Sequence, residues 1–318
     1  MKNDRVISVC IPCYRTEKHI ASVIRSIPEF VDHIIVVDDA CPNSSGRIAE
    51  ALQNPKVTVI YHQNNRGVGG AMVSGYEKAL QLGSDIIIKV DGDGQMDTSY
   101  LEDLISPLLD NAADYVKANR FRHFEAIKTM PKIRLFGNSF LSFMVKVCSG
   151  YWDIMDPTNG YTAIRKETLQ NLKLRRLSPR YFFEIDMLIN LNIHNAVVMD
   201  RPIPAKYGEE QSSLKITKII FEFPFKMLRG LLKRIFLKYY LYDFNMASVY
   251  FLSGIPMILW GIGFGVYRWL LSITYKVTNT TGTVMLSVLP LILGFELILQ
   301  AISIDINSTP RRRNRDEK

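Results

Sequence analysis

Asp85-Ile86-Ile87-Ile88-Lys89-Val90-Asp91-Gly92-Asp93-Gly94-Gln95 is the stretch on which the fold turns. Asp85–Val90 reads as a continuous apolar strand, the pattern of a strand covered on both faces. It ends in two carboxylates spaced i, i+2, with glycine between and after them. At a strand end Asp91 and Asp93 can both turn toward one ion. Mg²⁺ is typically held by one or two carboxylates plus substrate phosphates. Bound so, it neutralises charge developing on a diphosphate leaving group. An ordinary acidic turn would give the same residues.

Outward from this stretch, strand and helix signals alternate. Val6–Ile11, His33–Val37 and Val57–Tyr61 read as strands, and Glu17–Ile27, Ser45–Leu52 and Gly69–Leu82 as helices. The alternation predicts an α/β fold: a mainly parallel sheet with helices on both faces. Ligands of such sheets bind beyond the carboxyl ends of the strands, where Tyr14, Asp38, Asp39, Asp91 and Asp93 fall. A carboxylate at Asp38 or Asp39 suits the ring N–H of a uracil or guanine, and equally a helix cap or turn. Asn65-Arg66-Gly67-Val68-Gly69-Gly70 fails the dinucleotide-binding pattern, because the required third glycine is Met72. A loop opening a helix near phosphates stays open for Arg66 and Gly67.

Cys10 and Cys13 form a C-x-x-C. It closes an apolar run and contains Pro12, so a structural role in a reduced, cytosolic domain is expected. The N-terminus runs straight into a strand-like segment, without the pattern of a signal peptide.

The rest of the 318 residues changes character. Ile216, Ile219, Ile220, Phe223, Met227, Leu231, Ile235 and Tyr239 recur every three or four residues among lysines and arginines, with Pro224 expected to kink or split the segment. A basic amphipathic helix in the membrane interface is the expectation, against a helix packed on the globular domain. Phe244–Tyr267 carries no charge and Val277–Ile304 only Glu296. Each is long enough to cross a bilayer, and the short connection Leu271–Lys276 makes them a hairpin. Glu296 is expected in a helix–helix or subunit contact, which leaves a homo-oligomer through these helices open. Seven Lys/Arg between Gln211 and Tyr240, with Arg311, Arg312, Arg313 and Arg315, give much of the net charge of +8. Beside apolar spans they point to an anionic lipid bilayer rather than to nucleic acid. The positive-inside rule places both termini in the cytoplasm. The expected organisation is a globular domain over 1–213, amphipathic juxtamembrane helices over 214–243, two transmembrane helices over 244–304 and a basic tail over 305–318.

Together these motifs resemble family 2 glycosyltransferases of the GT-A fold, and more closely those acting on polyisoprenyl (dolichol or undecaprenyl) phosphate. Val6–Arg15 with Glu17 resembles the first strand and nucleotide loop "P-x-Y-N-E", with Arg15 in place of Asn and Glu17 one place late. Val36–Asp39 resembles "VDDGS", Asn65–Ala71 resembles "N-x-G-x-x-x-A", and Asp91–Gln95 resembles "DADLQ". Asn119-Arg120-Phe121 and Arg134 fall where the family has arginines for the lipid phosphate. Asp156–Tyr161 resembles "D-x-x-S-G-F", Phe183–Asp186 resembles "F-E-I-E", and Tyr207-Gly208 through Ser213-Lys215 resembles "R-x-x-G-x-S-K".

The resemblance implies that Asp91, Asp93 and Gln95 hold Mg²⁺ or Mn²⁺. It implies that Pro12, Tyr14, Glu17, Asp38, Asp39, Arg66, Gly67 and Asp91 bind the nucleotide-sugar, and that Arg120 and Arg134 bind the acceptor phosphate. It further implies that Asp156 lies in the acceptor region, to orient or deprotonate the acceptor. The implied reaction is inverting transfer of a hexose, with UDP-glucose the first expectation for donor, to polyisoprenyl phosphate for cell-surface glycan synthesis. UDP-N-acetylhexosamines, UDP-galactose and GDP-mannose stay open as donors. A sugar or protein hydroxyl stays open as acceptor, with Asp156 or Glu184 as base, and so does a non-catalytic nucleotide-sugar-binding scaffold.

Overall fold

The computed structural model describes residues 4–120, 132–204 and 216–312. Strands β1 (Ile7–Cys13), β2 (His33–Asp38), β3 (Val57–Tyr61), β4 (Ile86–Lys89), β5 (Tyr115–Asn119), β6 (Thr162–Arg165) and β7 (Val198–Pro202) form one sheet in the order β3-β2-β1-β4-β6-β5-β7. β1 to β4 pair in parallel, as the alternation requires, and β5 pairs parallel with β7. β6 runs antiparallel to both neighbours. The β6 start, at Thr162, therefore lies at the same sheet edge as the ends of β4 and β5.

Helices α1 (Ile20–Ser26), α2 (Ser45–Ala51), α3 (Gly67–Gln81), α4 (Leu101–Leu109), α5 (Lys132–Ser149), α6 (Lys166–Asn171) and α7 (Phe183–Ile193) complete this part of the chain. On one sheet face Val9, Ile11, Ile34, Val36, Ile86 and Ile88 pack with Val23 and Ile24 of α1 and Leu104, Ile105 and Leu108 of α4. On the other, α3 lies so close that a Cβ on Gly75 would touch Cys10 and Val37. Both faces are covered, which is why these strands read as apolar runs. Cys10 and Cys13 are buried and reduced, and burial raises both thiols, Cys13 to about 12.

Lys89 departs from the sequence reading: the strand before Asp91 is not apolar throughout, because it ends in a buried lysine. Register explains its company. Cys10 pairs with Lys89, Lys89 with Thr162, Thr162 with Lys117 and Lys117 with Asp200. Residues directly opposite in neighbouring strands point to the same face. One row is thus apolar at β1 and polar from β4 to β7, with charges at Lys89, Lys117 and Asp200 and a hydroxyl at Thr162.

The chain divides into two compact units, Met1–Leu231 with Pro310–Lys318, and Leu232–Thr309. Helix α8 (Ile216–Phe236) runs through Pro224 as one helix, so the expected split does not occur. Its face does not match the expectation either. Phe223 meets Phe182 edge-on at 5.5 Å, and Gly230 sits against Ile189, so this face packs on protein. Among the described side chains of α8, the exposed large apolar ones are Phe225, Leu228, Leu232 and Phe236. Arg311 and Arg312, expected at a membrane surface, pair with Asp153 and Asp114. Arg313 and Arg315, like Tyr207–Lys215, lie outside the described residues.

In the second unit, α9 (Met246–Tyr275) and α10 (Thr281–Asn307) are each long and apolar enough to cross a membrane. The expected connection is taken into α9, which ends at Tyr275. The two helices approach at small residues: a Cβ on Gly254 would lie 3.0 Å from the Gly294 carbonyl oxygen, and Ser287 Oγ donates to Gly261 at 2.8 Å. Asp305, expected in the tail, lies in α10 and is buried against Arg234, whose guanidinium donates two bonds to it at 2.7 and 3.0 Å. Glu296 is exposed and accepts from Gln300 on its own helix at 3.0 Å, so it takes no part in the α9–α10 contact.

Candidate active site

The loop after β1 and the loop after β2 are stitched together. Arg15, in the left-handed region at φ 59°, donates its N–H to Cys41 Sγ at 3.1 Å, and Thr16 N–H donates to Ser45 Oγ at 3.2 Å. Asn43 Nδ2 donates to Glu17 Oε1 at 2.6 Å. Its own backbone N–H and then Asn43 lower the Glu17 pKa. Tyr14 is exposed, with the Arg15 guanidinium 5.4 Å from its ring centre. Pro12 is half-buried at the end of β1. Together these residues make an open polar rim.

Asp38 and Asp39 face inward. Asp38 accepts from the N–H groups of Cys41 and Gly46, both at 2.7 Å. Asp39 accepts from His62 Nδ1–H at 2.7 Å, from Arg66 N–H at 2.8 Å and from Gly67 N–H at 2.7 Å. Asp38 thus shapes the turn into α2, and Asp39 caps α3. The glycines opening α3 serve packing. A Cβ on Gly67 would lie 2.7 Å from the Pro179 carbonyl oxygen, and one on Gly69 2.2 Å from that of Ser178. The helix start left open for phosphates is bordered by Asp39, which accepts from the Arg66 and Gly67 N–H groups, and by the loop before α7.

The DGDGQ turn follows β4. Asp93 Oδ1 accepts from Gln95 N–H at 3.0 Å, and Gly94 takes φ 77° to close the turn. Asp91, Asp93 and Gln95 are half-buried. Lys89 Nζ lies 3.1 Å from Asp91 Oδ1 and 2.9 Å from Glu184 Oε1. Burial pulls the Lys89 pKa down, but the two carboxylates more than offset it and the net shift is upward. Among the described residues no group of three His, Cys, Asp or Glu side chains is assembled for a metal. Two carboxylates and an amide oxygen at a strand end suit a hard cation that takes its remaining ligands from phosphates and water.

On the acceptor half, Arg120 follows β5 and grips Asp156. Nε donates to Oδ2 at 2.8 Å and Nη2 to Oδ1 at 3.1 Å, and Asp156 is fully buried. Lys117 Nζ donates to the Asn159 carbonyl at 2.6 Å, and burial lowers its pKa to about 8. Asp200 accepts from Met155 N–H at 2.7 Å and Asn119 Nδ2 at 3.0 Å, while its Oδ1 has no hydrogen-bond partner. Burial raises its pKa to about 6. Arg134 lies in the first turn of α5, with its side chain outside the described residues. Phe140 and Phe143 further along α5 are exposed.

The two halves meet at Gly160, where a Cβ would be 2.3 Å from Lys89 Nζ and 3.0 Å from Asp91 Oδ2. The structure thus brings Asp91, Lys89, Glu184 and Gly160 together, and separately Arg120 with Asp156. Arg66 and Gly67 belong with Asp39. Sequence reasoning missed Lys89, Lys117 and Asp200. A charge at a buried strand position was the available signal, since it must be paired.

The model of "Glycosyl transferase family 2" matches residues 8–173. UDP-N-acetylglucosamine–dolichyl-phosphate N-acetylglucosaminyltransferase of Methanococcus voltae is 30% identical over 65% of this chain and 88% of its own length. Polyprenol monophosphomannose synthase of Mycolicibacterium smegmatis is 27% identical over 71% of this chain and 88% of its own. Glucosyl-3-phosphoglycerate synthase of Mycobacterium tuberculosis, crystallised with Mn²⁺, UDP and phosphoglyceric acid, superposes with a TM-score of 0.53 over 73% of this chain and 78% of that one, at 19% identity. That likeness shows the fold, the expected GT-A architecture.

Proposed function

Because the chain belongs to glycosyl transferase family 2, we propose that it transfers a hexose from a nucleotide-sugar to a polyisoprenyl phosphate, with inversion, at the cytoplasmic face of a membrane. The two named relatives carry dolichyl phosphate and polyprenol in their names, and the two long apolar helices fit an anchored enzyme. UDP-glucose and UDP-N-acetylglucosamine, the latter named for a relative, are the donors to test first.

The observation that carries the choice of acceptor is the Arg120–Asp156 pair. A hydroxyl acceptor needs a free base of raised pKa, and Asp156 is buried and neutralised by a guanidinium. A phosphate monoester needs none, since its second pKa is about 6 and it is largely ionised at neutral pH. Its oxygen attacks the anomeric carbon as the bond to the nucleoside diphosphate breaks, and the leaving group keeps the electron pair. Arg120 and Arg134 receive the acceptor phosphate through the planar fork that suits it, and Asp156 orients Arg120. Pro12, Tyr14 and Glu17 line the nucleoside rim. Asp38 and Asp39 shape that rim and hold Arg66 and Gly67 in place. Asp91, Asp93 and Gln95 hold Mg²⁺ or Mn²⁺, which supplies charge neutralisation to the departing diphosphate.

The exposed row Phe225, Leu228, Leu232 and Phe236, rather than the face named from periodicity, meets the interface. With α9 and α10 spanning and both termini cytoplasmic, a membrane-impermeant thiol reagent reaches a cysteine placed at Thr280 only from outside, and one at Asn314 only after permeabilisation. Outward-facing Glu296 leaves an intermolecular contact as the reading for a homo-oligomer. Radiolabelled nucleotide-sugars incubated with the protein in membranes containing undecaprenyl phosphate test the reaction. Label from one donor passing into the organic phase as a lipid monophosphate sugar is the expected result. Label passing only to protein or water-soluble sugar overturns it.

A further inference from the structure

Lys89 is 2% exposed, so its ammonium cannot meet a substrate, yet it touches Asp91. It also holds Glu184, at 2.9 Å, so a residue of α7 is joined through it to the turn after β4. Gly160 makes room for this arrangement, since any Cβ there would collide with Lys89 Nζ. A carboxylate anchored through one oxygen by a buried ammonium loses the rotations that would turn its other oxygen away. Partners of this kind, behind the atoms that bind a metal, commonly set its affinity.

We infer that Lys89 is the positioning residue of the cation site: held in turn by Glu184, it fixes the Asp91 carboxylate in the orientation that takes a divalent cation. The inference rests on the proposed cation site at Asp91 and Asp93. A purely structural role, fastening α7 to the sheet, would account for the same distances, so the test must separate the two.

The probe is Mn²⁺ alone, titrated into the full-length protein in detergent and followed by the electron paramagnetic resonance signal of the free ion. In Lys89→Met/Glu184→Leu one positive and one negative charge are removed together, so net charge is unchanged. Replacing a buried ion pair by apolar groups of similar volume is often neutral for stability. The expected result is Mn²⁺ affinity about 10- to 100-fold weaker with the unfolding temperature near wild type, and near-normal affinity in Lys89→Arg. Glu184→Gln keeps shape and hydrogen bond if the double variant does not fold. It leaves the ammonium neutralising Asp91 alone and weakens Mn²⁺ binding in the same direction. Unchanged Mn²⁺ affinity in a folded double variant or in Glu184→Gln, while Asp91→Asn weakens it, overturns the role of Lys89 and leaves the cation site standing. Unchanged affinity in Asp91→Asn as well overturns both.

Discussion

The Arg120 guanidinium holds both oxygens of the Asp156 carboxylate, at 2.8 and 3.1 Å, across the gap between the end of β5 and the loop before β6. Two residues read separately from sequence, one for the acceptor phosphate and one for a base, are one unit. Arg120→Lys keeps the charge and loses the fork. The expected outcome is a raised KM for polyprenyl phosphate with the nucleotide-sugar KM little changed, and Arg134→Lys acts the same way. Arg120→Ala additionally leaves the buried Asp156 carboxylate without its guanidinium, with the backbone N–H of residue 120 still donating to it, and lowers stability by about 1–3 kcal/mol. Steady-state kinetics with each substrate varied in turn check this. A selective rise in the nucleotide-sugar KM would move these arginines to the donor diphosphate.

Asp93 Oδ1 accepts from Gln95 N–H within its own turn, and the residue is half-buried, outside the apolar core. Asp93→Ala is expected to reduce transfer by about 100-fold or more, the scale of losing electrostatic stabilisation in a transition state. The unfolding temperature should stay within a degree or two. EDTA should reproduce the loss and excess Mg²⁺ or Mn²⁺ reverse it in wild type. Full activity of the variant in EDTA would remove Asp93 from the cation site.

Gly69→Ala tests whether the glycines opening α3 serve packing or phosphate binding. The new Cβ would sit 2.2 Å from the Ser178 carbonyl oxygen and 2.9 Å from Phe183. Relieving that overlap costs about 1–3 kcal/mol, so the melting temperature should fall while the donor KM of the folded fraction holds. A raised donor KM at unchanged melting temperature would return this helix start to the phosphates.

Asp200 gives a pH signature. Its pKa is raised from 3.8 to about 6 in the folded protein, first by burial and then by Asp156. Between these values the folded state binds more protons than the unfolded one, so this group's contribution to stability falls as pH rises from about 4 to about 6. Asp200→Asn does not titrate and can still accept from Met155 N–H. The variant should therefore gain on wild type across that window, by at most about 2–3 kcal/mol at pH 7. Melting temperatures of both proteins at pH 4, 5, 6 and 7 check it; a constant difference across the series would be the contrary result.

Much of the site was readable because a parallel strand in a covered sheet must be apolar until it emerges. Val57–Tyr61 was placed to the residue, and the ends of β1, β2 and β4 within one or two residues. The side chains just past those strands were named: Tyr14, Asp38, Asp39, Asp91 and Asp93. Three strands were not read. β5, β6 and β7 are four or five residues long, carry Lys117, Arg165 and Asp200, and gain their burial from neighbours far along the chain. Period and composition are weak over so few residues.

The sequence by itself determined the parallel β1–β4 layout, the acidic turn at Asp91 and Asp93 and the two long apolar helices, because each follows from local pattern and solvent. Only the tertiary structure decided which charges neutralise one another. Asp39 was given to the α3 start rather than left open, Asp156 to Arg120, Asp91 to Lys89 with Glu184, and Asp305 to Arg234. Asp39 lies 28 positions from Gly67, Asp156 36 from Arg120 and Asp305 71 from Arg234, while Lys89 lies 2 from Asp91 and 95 from Glu184. A buried charge must find a partner, but chain spacing does not say which one. That choice is made by strand register and by the helix that closes over each face.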